Sequence, residues 1–131
     1  MSLSFVFDSS VVVSASLFST SVPRQALDRA RFNGNILLSQ AVIDKFDSYV
    51  KKEKRIQFLE ALIDEAHLIE PTVSFSICRD PEDNKYLELA VTAGATCIVS
   101  GDNDLLVLHP FQNIPIVNPA TFLATEWKDE D

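Results

Sequence analysis

Residues 79–108, RDPEDNKYLELAVTAGATCIVSGDNDLLVL, constrain this chain most, because they set acids at two turns around one apolar strand. Asp80-Pro81-Glu82-Asp83 reads as a helix start: Asp80 suits the N-cap, Pro81 the first helical position, and the acids face the positive end of the helix dipole. Leu87, Ala90 and Val91 recur at helical spacing, and Gly94 ends that helix. Residues 96–99 are a short, apolar, β-branched run that fits a buried parallel strand. Ser100-Gly101-Asp102-Asn103-Asp104 then leaves its carboxyl end, the edge at which open α/β sheets bind ligands.

The rest of the chain repeats this alternation. Residues 4–7 read as a first strand, with Asp8 at its end and a helical stretch over 9–18. If that strand lies parallel to 96–99 in one sheet, Asp8 and Asp102 share an edge. Val22-Pro23 opens a second helix with Ala26, Leu27 and Ala30 on one face, and Asn33-Gly34 closes it. Residues 35–38 form a second strand, and Ser39 is a natural N-cap for the helix that follows. Its stripe is Val42, Ile43, Phe46, Tyr49 and Val50; a further stripe of Ile56, Leu59, Leu62, Ile63 and Ala66 follows a break near Lys54. A third strand is expected over 67–70, with 72–78 either loop or edge strand. The last strand is expected over 114–117, where Pro115 suits a sheet edge, and Asn118-Pro119 caps a helix over 120–126. Strands alternating with helices imply a three-layer α/β/α fold around a parallel sheet of four or five strands. The domain spans 1–125, followed by an acidic tail over 126–131.

Three blocks, FVFDSSVVVSA, ILLSQAVIDKF and RDPEDNKYLELAVTAGATCIVSGDNDLL, resemble in order the successive blocks of the PIN domain, in the variety grouped with toxin components of toxin–antitoxin pairs. The third block is the specific one. The resemblance implies a metal-dependent endoribonuclease that cleaves RNA with Mg²⁺ or Mn²⁺ held by acids. It also implies an antitoxin protein as partner and a homo-oligomer, a dimer. Carried over position by position, the family's acids fall on Asp8, Asp83 and Asp102, with Asp104 as an auxiliary. Asp8, Asp83 and Asp102 are the expected metal ligands; Asp104 would act beside them or on a second ion, and Ser9 and Ser100 would orient them by hydrogen bonds. Such a site suits phosphodiester hydrolysis, since a carboxylate-bound Mg²⁺ activates water and neutralises the phosphate.

Two positions depart from the family pattern. DSS at 8–10 stands where Asp-Thr-Asn is commoner. Lys45 stands where the family usually has a glutamate, in the helix after the second strand. Lys45 lies on the border of the Val42, Phe46, Tyr49 stripe, whereas Asp44 points away from it. Either Lys45 reaches Asp8 or Asp83 and weakens metal binding, or its stem carries the charge to solvent. The first case opens a second function, a PIN-fold binding module that cuts poorly or not at all. Each acid also has a plain role: Asp8 and Asp102 as helix caps, Asp83 as the third-position acid of a box with Asp80.

At 131 residues the chain is one domain, long enough to bury a core. No apolar run approaches the roughly 18 residues of a membrane span, and residues 5–7 are too short for a leader, so a cytoplasmic protein is expected. Cys78 and Cys97 make no disulfide framework, and His67 and His109 lack zinc-ligand spacing. Scattered glycines exclude a phosphate-cradling loop. The net charge of -8 argues against a general nucleic-acid binder. It does not exclude a nuclease, because part of that charge is the proposed site. Basic residues cluster over 24–31 and at Lys51, Lys52, Lys54 and Arg55, either as a solvated helix face or as contacts to the RNA backbone. Trp127 would serve as a partner anchor or pack on the last helix.

Overall fold

β1 (Ser4–Phe7) holds the middle of the sheet, and its sequence permits this because Phe5, Val6 and Phe7 are apolar and buried on both faces. The computed structural model describes residues 3–49 and 53–128. From β1 the chain passes through α1 (Ser9–Leu17) and α2 (Val22–Asn33) to β2 (Asn35–Leu38). It continues through α3 (Gln40–Tyr49) and α4 (Glu53–Glu65) to β3 (His67–Leu68). A 3-10 turn (Pro81–Asp83) and α5 (Asn84–Ala93) then return it to β4 (Cys97–Val99) on the other side of β1. α6 (Asn103–Leu106), β5 (Ile116–Val117) and α7 (Pro119–Ala124) follow.

The strand order is β3-β2-β1-β4-β5, with every pair parallel. The direction of travel reverses at β1, which makes the carboxyl ends of β1 and β4 the switch point of the sheet. Connections running both ways from β1 place helices on both faces, giving the three-layer α/β/α architecture. α7 packs on α2 and sets Phe122 edge-on to Phe5 and Phe7, with ring centroids 5.3 and 5.8 Å apart. α5 lies along β1, β2 and β4.

Local differences from the sequence reading have physical causes. β3 covers two exposed residues rather than four: it pairs with Leu37 and Leu38, Ile69 N donates to Leu38 O at 2.8 Å, and Pro71 has no N–H to continue. Residues 72–78 form a loop held by side chains of α5, with Phe75 N donating to Glu88 Oε2 at 2.9 Å and Ile77 N and Cys78 N both donating to Asn84 Oδ1. β5 is shorter than expected and lies at the edge, where Pro115 needs no N–H and its carbonyl accepts from Ile98 N at 2.9 Å. Ser39 caps α3 as expected, with Val42 and Phe46 buried. α4 already includes Lys54; Val50, Lys51 and Lys52 lie outside the described residues. α7 ends at Ala124, and Trp127 folds back to stack on Phe122 and donate Nε1–H to Phe122 O at 3.1 Å. That contact gives the indole an internal role. Residues 129–131 of the acidic tail lie outside the described residues.

One glycine is fixed by space. A Cβ at Gly34 would come within 2.3 Å of Leu3 O, the carbonyl that accepts Asn35 N at 2.9 Å where β1 and β2 begin to pair. Gly34→Ala is therefore expected to destabilise the fold by about 1–3 kcal/mol, as overpacking does. Urea denaturation measures it, and an unchanged midpoint would show that the two segments separate at no cost.

Candidate metal centre

Asp8 stands at the switch point because the sheet delivers it there: its N–H donates to Val99 O at 3.0 Å, extending the β1–β4 ladder by one bond. Its carboxylate is buried and held by three donors. Oδ1 accepts from Val11 N at 2.8 Å, capping α1, and from Ser10 Oγ at 2.7 Å; Oδ2 accepts from Ser100 Oγ. Ser100 Oγ in turn accepts from Asp102 N at 2.9 Å, so one buried hydroxyl fixes the acids of two strand ends. Asp102 caps α6 by accepting from Asp104 N at 2.9 Å. Capping and placement at the sheet edge thus coincide in the same side chains.

Asp83 differs from these. Asp80 caps the 3-10 turn by accepting from Glu82 N, whereas Asp83 makes no capping bond at the start of α5. Its Oδ2 is buried without a hydrogen-bond partner. Burial first, then a hydrogen bond shared with the Asp102 carboxyl and repulsion from Asp102, Asp80 and Asp8, push the Asp83 carboxyl up to about 7. Asp83, Asp102 and Asp104 can each offer an oxygen atom such that all three lie within 4.8 Å of one another. Asp8 lines the same cleft, of about 120 Å³, beside Asp83 and Asp102, but lies outside that trio.

An orphaned carboxylate oxygen and a set of hard oxygen donors fit Mg²⁺ or Mn²⁺. Burial, and then Asp83, Asp102, Asp104 and Asp80, push the neighbouring Cys78 thiol up to about 11.

Other side chains of the cleft were less legible. Ser9 does not face the acids: it is held by Tyr86, whose hydroxyl donates to Ser9 Oγ at 2.9 Å and accepts from Ser9 N at 3.0 Å. Ser10 supplies the hydroxyl to Asp8 instead. Tyr86 lines the cleft, and burial pushes its phenol up to about 12. The available signal was its spacing, three residues after Asp83 and so on the same helix face. Lys45 lines the cleft too, half-buried, and after Lys85 it helps hold the Glu82 carboxyl below the usual range. Asp44 is exposed and accepts from Gln40 Nε2 at 2.8 Å.

Arg24 and Arg31 pair with Asp28 at 3.2 and 3.3 Å, Arg31 also with Glu65, and Arg29 Nη1 donates to Leu123 O. His67 is exposed, and His109 Nδ1 accepts from Ile116 N at 2.8 Å, away from the acids. Among the described residues no helix is long and apolar enough to cross a membrane.

Ser100→Ala removes the donor to Asp8 and the acceptor for Asp102 together. Supporting residues of this kind usually cost 10–100-fold in metal affinity, so a drop of about that size is expected by Mn²⁺ titration calorimetry. Unchanged affinity would show that the two acids hold their places without the serine.

A doubly flanked parallel sheet with carboxylates gathered at its switch point defines a class of α/β domain with an acidic cleft. The family model described as PIN domain matches residues 4–104, and the chain belongs to that family. PIN domains are generally nucleases and generally use a divalent metal. An uncharacterized protein of Methanocaldococcus jannaschii, MJ1680, is 29% identical over 115 residues, covering 79% of this chain and 74% of that protein. Among solved structures, VapBC2 from Rickettsia felis, bound to a DNA fragment from their promoter, superposes with a TM-score of 0.64 at 15% identity, covering 88% of this chain and 98% of that one. PAE2754 from Pyrobaculum aerophilum superposes with a TM-score of 0.60 at 14% identity, covering 93% and 88%.

Proposed function

We propose that this protein is a metal-dependent endoribonuclease that hydrolyses RNA phosphodiesters in the cleft at the carboxyl edge of the sheet. The observation that supports it most is the convergence of Asp83, Asp102 and Asp104, each with an oxygen within 4.8 Å of the others, where Asp83 also carries a buried Oδ2 without a hydrogen-bond partner. Asp8, Asp83 and Asp102 would hold Mg²⁺ or Mn²⁺, with Asp104 as an auxiliary ligand. When bound, such a cation supplies an activated water and charge neutralisation on the phosphate. Asp8, locked by three donors, keeps a fixed orientation at the floor of the cleft, and Ser100 sets its position relative to Asp102. Tyr86 holds the Ser9 backbone and so the start of α1 beneath the acids.

The resemblance to the toxin-component variety, together with the fold shared with VapBC2, supports a toxin-like role restrained by an antitoxin protein. A cytoplasmic location and a homodimer belong to the same reading; light scattering on the purified protein tests the latter. The functional test is cleavage of single-stranded RNA titrated with Mg²⁺ and Mn²⁺ on one sample. Cleavage that rises with metal and stops with EDTA is expected, and a metal-loaded protein that leaves RNA intact would overturn the proposal. Lys45 in the cleft favours one alternative, a PIN-fold module that binds RNA or protein and cuts slowly or not at all.

A further inference from the structure

The cleft has a charge problem that its acids alone do not solve. Asp8, Asp80, Glu82, Asp83 and Asp102 all line it, and Asp104 stands beside them. Lys85 pairs with Glu82 at 2.9 Å and one divalent cation offsets two further negative charges, so the remaining aspartates around a bound ion would still repel a phosphodiester. Among the described residues lining the cleft, Lys45 is the one cationic side chain.

The fold delivers it there. Val42 and Phe46 are buried on α3, so the helix cannot roll, and Lys45, one position before Phe46, is carried to the cleft wall while Asp44 is turned outward. The side chain is half-buried along the cleft wall, and its charge, after that of Lys85, acts on Glu82. A compact ammonium with three donors is suited to a non-bridging phosphate oxygen.

We propose that Lys45 is the phosphate-positioning residue of this site: it binds a non-bridging oxygen of the RNA backbone and holds the strand against acids that would otherwise repel it. The inference rests on the ribonuclease reading above. It adds a role for the lysine that neither a spectator on the helix surface nor a simple block to metal binding would have.

The test measures binding of a fluorescein-labelled single-stranded RNA by anisotropy, in the full-length Asp102→Asn background so that the RNA stays intact. Lys45→Met is expected to weaken binding several-fold at low salt and to reduce the slope of log affinity against log salt by about 0.7, the loss of one phosphate contact to a single strand. Lys45→Arg should restore most of both, and Lys45→Gln, which keeps a polar stem, should behave as the methionine does. With Asp102 present and Mn²⁺ added, Lys45→Met should raise KM more than it lowers kcat. RNA affinity and salt slope that are unchanged in both neutral variants would overturn the inference while leaving an RNA-cleaving wild type, and hence the nuclease reading, intact. Failure of arginine to restore binding would also overturn it. A wild type that neither binds nor cleaves RNA would remove both.

Discussion

Asp102→Asn is expected to lower RNA cleavage by about a thousandfold or more, beyond the 10–100-fold typical of residues that only support a ligand. The fold should not suffer. Asparagine caps helices as well as aspartate, so the bond from Asp104 N survives, and removing one charge relieves repulsion on Asp83. The melting temperature in EDTA should therefore equal or exceed that of the wild type. Single-turnover cleavage beside a thermal melt separates the two effects. A variant that keeps full activity would take Asp102 out of the site.

Asp83→Asn carries the second large effect, which fades as pH falls and changes sign when metal binds. In the fold the Asp83 carboxyl keeps its proton up to about 7, whereas the ordinary value is 3.8. The folded state therefore binds more protons between those values, so this group's contribution to stability is complete below about 3.8 and disappears as pH rises through 7. Because the carboxyl is partly exposed, solvent screening reduces the effect to on the order of 1 kcal/mol. In metal-free buffer at pH 8, Asp83→Asn should melt about 3–6 °C above the wild type, and the gain should vanish near pH 4. Saturating Mn²⁺ should invert the order, since a ligand at a hundred times its Kd adds about 2.7 kcal/mol to the protein that holds it. A variant less stable than the wild type at pH 8 without metal would show that Asp83 is not repelled.

The carboxyl-edge cluster was legible because its members sit on strong local signals. Asp80-Pro81, Ser39, Asn118-Pro119 and the short apolar runs before Asp8 and Ser100 fix element ends through caps, proline and burial, all of which act within a few residues. Once the strands are parallel, their carboxyl ends must share an edge. The finer arrangement depends on contacts far apart in sequence. Tyr86 and Ser9 are 77 residues apart, and Ser100 and Asp8 are 92 apart, so local patterning could not pair them. The loop over 72–78 is held by Asn84, Glu88 and Thr92 side chains rather than by a ladder, which leaves no period to read. β3 and β5 are the two edge strands, and β3 stops before Pro71, which has no N–H to continue the ladder. Asp8 lies outside the trio of Asp83, Asp102 and Asp104 and is held by three donors, two of them serine hydroxyls, whose direction sequence does not reveal.

The most direct measurement is an anomalous difference map from crystals soaked in Mn²⁺. A peak within about 2.0–2.6 Å of carboxylate oxygens of Asp83 and Asp102, the range of hard-cation bonds to oxygen, is expected in the cleft that Asp8 and Lys45 also line. Saturating Mn²⁺ with no peak at these aspartates, or with ordered ions only elsewhere, would contradict a metal centre at this edge of the sheet.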